Sequence, residues 1–259
     1  MLGIDFFIGT AAEAVDYISK HGGLVVAPAA PSLVALQDDP DYRRAIANAD
    51  LAIADSGWAV LFWRLLKREK ITRISGLALF KAFLGTSEAL VPRNVFFVLP
   101  TEKAKARTME FAHVGDYRIT ADDCYVAPKY QRSQVRDQRS ADSAAGRGFE
   151  DLRLVSILEQ RKPKHIIVGI GGGMQDKLGS YLKHQLTYRP GIYCIGAAPG
   201  FVTGDQVFIP TWADRFFIGW IFRLMTQPNT LLPRLWRVRR LPGMMAKYGR
   251  EAPPVRSRN

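Results

Sequence analysis

The stretch Ala49-Asp50-Leu51-Ala52-Ile53-Ala54-Asp55-Ser56-Gly57-Trp58 is the key to the chain. Leu51 to Ala54 is an apolar run of strand length. It stops at a carboxylate and Ser-Gly, and a helical run from Trp58 to Leu66 follows. Strand, acid, tight turn, helix is the signature of a parallel strand whose carboxyl end carries Asp55. In open α/β sheets that edge is where ligands bind. An Asp there can serve as a general base. It can equally be no more than the cap of the next helix.

The same alternation extends in both directions. Upstream, Ala11 to His21 reads as a helix ended by Gly22-Gly23. Leu24 to Ala27 is a buried strand, and a helix from Leu33 continues through Tyr42 to Asn48. Downstream come helices Trp58 to Lys67 and Leu77 to Leu84, strand Asn94 to Leu99, helix Glu102 to Phe111 and strand Tyr117 to Ala127. Gln131 to Gly148 is polar and small, and reads as a surface loop or as a segment that closes over a ligand. Helix Glu150 to Gln160, strand His165 to Ile170, helix Met174 to Leu186 and strand Ile192 to Ala197 complete the series. Strands alternating with helices specify an α/β fold with a doubly wound, mostly parallel sheet.

With 259 residues, 47% of them hydrophobic, the chain can bury one large core. A net charge of +12 points to acidic partners: phosphates, nucleic acid or anionic lipid. Cys124 and Cys194 sit in strand-like runs and read as buried thiols of a cytoplasmic protein. No stretch reaches the roughly 18 apolar residues of a membrane span. Met1 to Thr10 lacks the basic and cleavage features of a secretory signal, so a cytoplasmic location is expected.

From Thr211 the composition changes. Trp212, Phe216, Phe217, Trp220, Ile221, Phe222, Leu224 and Met225 crowd one stretch with Arg215 and Arg223. Leu231 to Arg240 adds Arg234, Trp236, Arg237, Arg239 and Arg240. Rings and aliphatic groups mixed with arginine suit a helix lying on an anionic membrane surface. An ordinary core helix with a solvated basic end is the other reading. The division expected is a catalytic domain over 1–210 and a helical, basic-aromatic, membrane-associating appendage over 211–259, with disorder from Glu251 onward. Because the basic residues cluster in an apolar tail and not along a stacking platform, nucleic acid is not an expected partner.

Val168-Gly169-Ile170-Gly171-Gly172-Gly173-Met174-Gln175-Asp176-Lys177 joins a strand to a helix. Small residues there let backbone N–H groups approach a phosphate. Neither a dinucleotide fingerprint nor a Walker loop is completed. The four histidines are scattered and no carboxylate cluster has metal spacing. No Ser-His-Asp or Cys-His set stands out.

In order and spacing, these pieces resemble the WecG/TagA/CpsF glycosyltransferases (family 26), from about Met1 to Arg240. The matching residues are Val25-Val26-Ala27-Pro28, Asp39-Pro40, Ala49-Asp50-Leu51 with Asp55, and Arg73-Ile74-Ser75-Gly76. They continue with Val168-Gly169-Ile170-Gly171, Gln175-Asp176-Lys177, Gly196 through Gly204 to Pro210, and Trp220-Ile221-Phe222-Arg223-Leu224. The resemblance implies a Rossmann-like domain and an inverting, metal-independent transfer. The sugar would pass from a UDP-sugar to a polyprenyl-diphosphate-linked saccharide at the inner membrane face, with no cofactor, for a surface polymer or exopolysaccharide.

By the same resemblance Asp55 is the general base. Gly171, Gly172, Gly173, Gln175 and Gly196 lie near the nucleotide, with Arg215 and Arg223. Arg73, Ser75, Arg234 and Arg237 serve the acceptor or the diphosphate. A homo-oligomer is compatible with this reading. So is a non-catalytic member that acts as a membrane-bound partner in a polysaccharide assembly complex. The chain departs from the family where Thr-Pro-Asn-Pro becomes Ala27-Pro28-Ala29-Ala30, where Asp-Gly becomes Asp55-Ser56, where Gly-Gly becomes Pro100-Thr101, and where Glu-Trp becomes Gly219-Trp220. Losing Thr and Asn points to a donor other than N-acetylmannosamine, such as a hexose, or to a weakened enzyme.

Overall fold

The computed structural model of the chain describes residues 1–130, 149–204 and 236–256. The strands are β1 (Gly23–Val26), β2 (Leu51–Ala52), β3 (Val95–Leu99), β4 (Cys124–Val126), β5 (His165–Val168) and β6 (Gly191–Cys194). They form one sheet in the order β2-β1-β6-β5-β3-β4. Every pairing is parallel, with Val26 opposite Cys194, Val168 opposite Cys194, and Val98 opposite Val168. The α/β class with a parallel sheet expected from the alternation, and the Rossmann-like arrangement implied by the resemblance, are observed.

Side chains alternate across this sheet into two cores, as a period of two requires. Leu24, Val26, Phe96, Val98, Ile166, Val168 and Ile192 face one side. Val25, Val95, Phe97, Leu99, Ile167 and Tyr193 face the other. The first face is covered by α2 (Ala30–Val34), α3 (Pro40–Ala47), α4 (Gly57–Lys67), α7 (Leu152–Arg161), α8 (Met174–Gln185) and α10 (Leu241–Tyr248). The second is covered by α1 (Ala11–His21), α5 (Gly76–Leu84), α6 (Glu102–Val114) and α9 (Ala198–Val202). Helix α8 lies hard against the sheet: a Cβ on Gly179 would come within 2.4 Å of Cys194 Sγ. That contact fixes where the amino end of α8 sits.

Local chemistry sets several boundaries that periodicity alone places differently. The helix expected from Leu33 to Asn48 is broken. A 3-10 turn at Ala35–Gln37 follows α2, and Asp39 then caps α3 by accepting from Tyr42 N at 3.0 Å, with Pro40 in the first turn. The expected strand Tyr117 to Ala127 pairs only over Cys124–Val126, because Thr120 and Asp123 close a 3-10 turn before it. Strand β6 stops at Cys194, where Ile195 N turns back to Tyr193 O at 3.2 Å and Gly196 takes a φ of +61°.

The chain is held down through residue 256. Gly3 N donates to Arg250 O at 2.8 Å, Arg256 N donates to Gln37 O at 2.9 Å, and the Arg43 guanidinium meets Pro253 O. The disorder expected from Glu251 is therefore replaced, through residue 256, by a strap across the amino terminus and α3. Val238, Leu241, Met244 and Met245 are core residues, and α10 packs on α2 and α4. The 210/211 boundary falls outside the described residues.

Candidate active site

Strand β2 is an edge strand of two paired residues, shorter than the run Leu51 to Ala54 suggested. Beyond it Ile53 N still reaches Val26 O, and Ala54 bridges to Arg73. Asp55 follows at the carboxyl end, half-buried, at the rim of the sheet and not within its core.

Among the described residues, three interactions hold Asp55. Its N–H donates to Ile53 O at 3.0 Å, and Arg73 Nε donates to its carbonyl at 3.1 Å. Its Oδ1 accepts from Gly76 N at 2.9 Å. Gly76 opens α5, which Ser75 caps by accepting from Ala78 N at 3.1 Å. The next helix, α4, is capped by Ser56, whose Oγ accepts from Ala59 N at 3.3 Å. Asp55 is therefore not the cap of the helix that follows it. It is held against the first amide of the helix after that, where the positive end of the backbone dipole lies.

The second group of residues sits at the ends of β5 and β6. Among the described residues, Cβ atoms added to Gly171 or Gly173 would meet nothing within 4 Å, and Gly173 has a φ of +86°. The loop thus presents open backbone, as an anion site at a helix amino end requires. Gln175 is 3% exposed. Its Nε2 donates to Cys194 O at 3.0 Å, while its Oε1 has no partner among the described residues and lies 3.2 Å from where a Gly196 Cβ would stand.

Asp176 was not singled out from the sequence, although it stands within the Gln175-Asp176-Lys177 run. Its Oδ2 accepts from Gly173 N at 3.1 Å, and its Oδ1 has no hydrogen-bond partner among the described residues. Burial raises this carboxyl to about 7, against the opposing pull of the Gly173 amide. Lys177, also buried, makes an ion pair with Asp39 Oδ2 at 2.7 Å, tying α8 to the cap of α3. No local signal marks their burial, which depends on how closely α8 approaches the sheet at Gly179.

The two groups are joined by close packing. A Cβ on Gly76 would lie 3.1 Å from Ile195 O and 3.7 Å from Ala198 Cβ, so the start of α5 rests on the segment after β6. From β2 to β5 is three strand spacings of about 4.8 Å, so the two ends of the site are roughly 14 Å apart. Between them, at the end of β1, stand Ala27 and Ala29. Ala29 occupies the N-cap of α2 with no side chain to cap it.

Arg73 and Ser75 thus join Asp55, and Gly171–Gly173, Gln175 and Gly196 join one another. Arg215, Arg223 and Arg234 lie outside the described residues. Arg237 is exposed, beside Trp236, whose ring carries the Arg239 guanidinium at 3.5 Å from its centroid. Among the described residues no group of three His, Cys, Asp or Glu could hold a metal ion. A groove of about 500 Å³ lined by Asp16, Lys20, Glu88 and Lys164 lies at the amino ends of β3 and β5, the opposite rim of the sheet. Its charged groups include the surface pairs Lys20–Asp16 and Lys164–Glu88, and it lies away from the strand ends that carry Asp55 and the glycine run. Buried His165 is on that rim too, and burial lowers its imidazole to about 4, so it is neutral beside Glu88.

Comparison with known proteins gives the family. The family model described as "Glycosyl transferase WecG/TagA/CpsF family" matches residues 1–254. An N-acetylglucosaminyldiphosphoundecaprenol N-acetyl-beta-D-mannosaminyltransferase of Bacillus spizizenii is 24% identical over 82% of this chain and 75% of its own. The enzyme of the same name from Bacillus subtilis is 22% identical over 88% of this chain and 80% of its own.

Proposed function

This chain belongs to the WecG/TagA/CpsF glycosyl transferase family, and from that premise we propose that it moves a sugar from a UDP-sugar onto a polyprenyl-diphosphate-linked saccharide with inversion. The acceptor class is supported by the names of its relatives, which act on N-acetylglucosaminyldiphosphoundecaprenol. The observation that carries the mechanism is the Asp55 carboxylate, set at the rim by Gly76 N and the Arg73 contact.

In the proposed step, Asp55 takes the proton from an acceptor hydroxyl as that oxygen forms a bond to the anomeric carbon. The bond from that carbon to the phosphate oxygen breaks, and UDP leaves with the electron pair. The open backbone of Gly171–Gly173 and the arginines Arg215, Arg223, Arg234 and Arg237 neutralise the departing diphosphate. Arginine suits this role because its planar fork matches phosphate oxygens. Asp55 then returns the proton to solvent. No metal is assigned a part, and the donor is the only small molecule the scheme needs.

No described helix is long and apolar enough to cross a membrane. We place the enzyme on the inner face of the membrane, held by its basic-aromatic tail, where a polymer for the cell surface is built on a lipid carrier. A donor other than N-acetylmannosamine is proposed because Ala27 and Ala29 bring no polar side chain at the two positions where the family has Thr and Asn. The same loss supports the second reading, a non-catalytic partner in an assembly complex.

The test is mass spectrometry of lipid-linked product after incubation with a panel of UDP-sugars and a lipid-diphosphate acceptor, with and without chelator. One donor should add a single sugar in both conditions. No product from any donor, with no UDP-sugar binding by calorimetry, would establish the non-catalytic reading instead.

A further inference from the structure

Helix α4 is apolar on two faces. Ala59, Val60 and Trp63 are buried against the sheet side. Trp58, Leu61, Phe62, Leu65 and Leu66 follow the i, i+3, i+4, i+7, i+8 spacing of a second stripe, the pattern of a helix face that packs against something. Trp58 and Phe62 are half-buried against the core, while the leucines of the stripe point outward: Leu61 is 42%, Leu65 68% and Leu66 44% exposed. An apolar row on the outer side of a helix whose inner side already packs on the sheet is a face built to be covered.

The surroundings indicate what covers it. Arg64, Lys67, Arg68 and Lys70 are exposed along the same excursion. Its one acid, Glu69, is engaged by Trp63 Nε1 at 3.3 Å and by Arg250 at 3.0 Å. Leucines rimmed by uncompensated cations match the acyl and headgroup layers of an anionic bilayer. A second copy docking through the same face about a two-fold axis would bring these cations against their own images. The excursion is also rooted at the site: the chain leaves at Ser56, beside Asp55, and returns where Arg73 bridges Ala54 and reaches the Asp55 carbonyl.

We propose that α4 is a membrane contact in its own right, separate from the tail, lowering Leu61, Leu65 and Leu66 into anionic lipid so that Asp55 meets a lipid-borne acceptor. This rests on the reading of the acceptor given above.

The experiment uses the full chain. Cys124 and Cys194 are both buried, so Leu65→Cys can be labelled selectively with an environment-sensitive fluorophore. With vesicles of equal parts phosphatidylglycerol and phosphatidylcholine, emission should shift to the blue and brominated lipid should quench it. Pure phosphatidylcholine should do so far less. The double variant Leu61→Glu/Leu65→Glu should lower the vesicle-bound fraction about tenfold, with an unchanged melting temperature and unchanged transfer to a water-soluble, short-chain acceptor.

A label already shielded in vesicle-free buffer would overturn the proposal. It would show the face covered by the chain itself, or by a second copy if light scattering gives a dimer mass. A label left unquenched on vesicle-bound protein would also overturn it. If no donor yields lipid-linked product while the label is still quenched, the transferase reading fails and the membrane contact stands.

Discussion

Asp55 and Asp176 both follow parallel strands at the same edge of the sheet, and both accept from a backbone amide at a helix amino end. Their surroundings separate them. Asp55 is half-buried at the end of an edge strand. Asp176 is 1% exposed, leaves Oδ1 without a partner among the described residues, and has its carboxyl raised to about 7. Position in the fold made either a candidate base; reach divides them. A base must touch the proton it removes, and the buried acid is enclosed by the helix it begins. In this account the rim carboxylate does chemistry while the enclosed one shapes the nucleotide end.

The strongest way to break that division is Asp55→Asn. The amide keeps an oxygen for Gly76 N and loses the proton acceptor. Transfer should fall by about 10²- to 10⁴-fold, with a melting temperature close to that of the unaltered protein. Asn at 55 with full turnover would move the base elsewhere, and Asp176 would be the first place to look.

Next in size is Asp39→Asn, which tests whether the Asp176 end is chiefly structural. It leaves the ammonium of Lys177 buried beside a neutral amide. Removing one partner of a buried pair costs about 3–5 kcal/mol, near the lower figure here because Asp39 is itself 34% exposed. Chemical denaturation should show the loss. A protein of undiminished stability would mean that Lys177 is free to serve the ligand.

The difference between these regions also explains what the sequence disclosed. Asp55 was legible because an apolar run ends on it abruptly, and the fold was legible because strand and helix periods alternate. Asp176 and Lys177 were quoted but not assigned, since burial of a polar residue in a helix's first turn depends on how closely that helix approaches the sheet. The approach is set by Gly179 against Cys194, a contact between segments that no local pattern encodes. The docking of residues 250–256 was hidden for the same reason, being decided by Gln37 and Arg43, partners far along the chain.

Titration sharpens the comparison further. The Asp176 carboxyl is raised from an ordinary value of 3.8 to about 7 on folding. Below the unfolded value both states hold the proton and burial carries no penalty. Between about 4 and 7 only the folded state holds it, so stability falls as pH rises, by up to about 1.4 kcal/mol per pH unit. Above about 7 the penalty is complete and constant. Asp176→Asn carries no such proton, so urea denaturation should show it gaining on the parent protein from pH 5 to 7 and running parallel at pH 8. Parallel curves throughout would mean that Asp176 is ionised in the fold.

The smallest effect belongs to the centre of the site, between the two carboxylates. Ala29 has the extended backbone of an N-cap, with φ −76° and ψ 159°, and no side-chain oxygen for the first amides of α2. Ala29→Asn supplies one, and a cap of this kind is worth about 1 kcal/mol, readable as a rise of about 2–4 °C in melting temperature. Because Ala29 lies between the Asp55 and Gly171–Gly173 ends, the same amide would also face the sugar in our scheme. Paired with Ala27→Thr, it should shift turnover toward an N-acetylated donor. A stabilised variant with unaltered donor preference would separate the two roles, leaving the cap real and assigning the choice of sugar to residues outside β1.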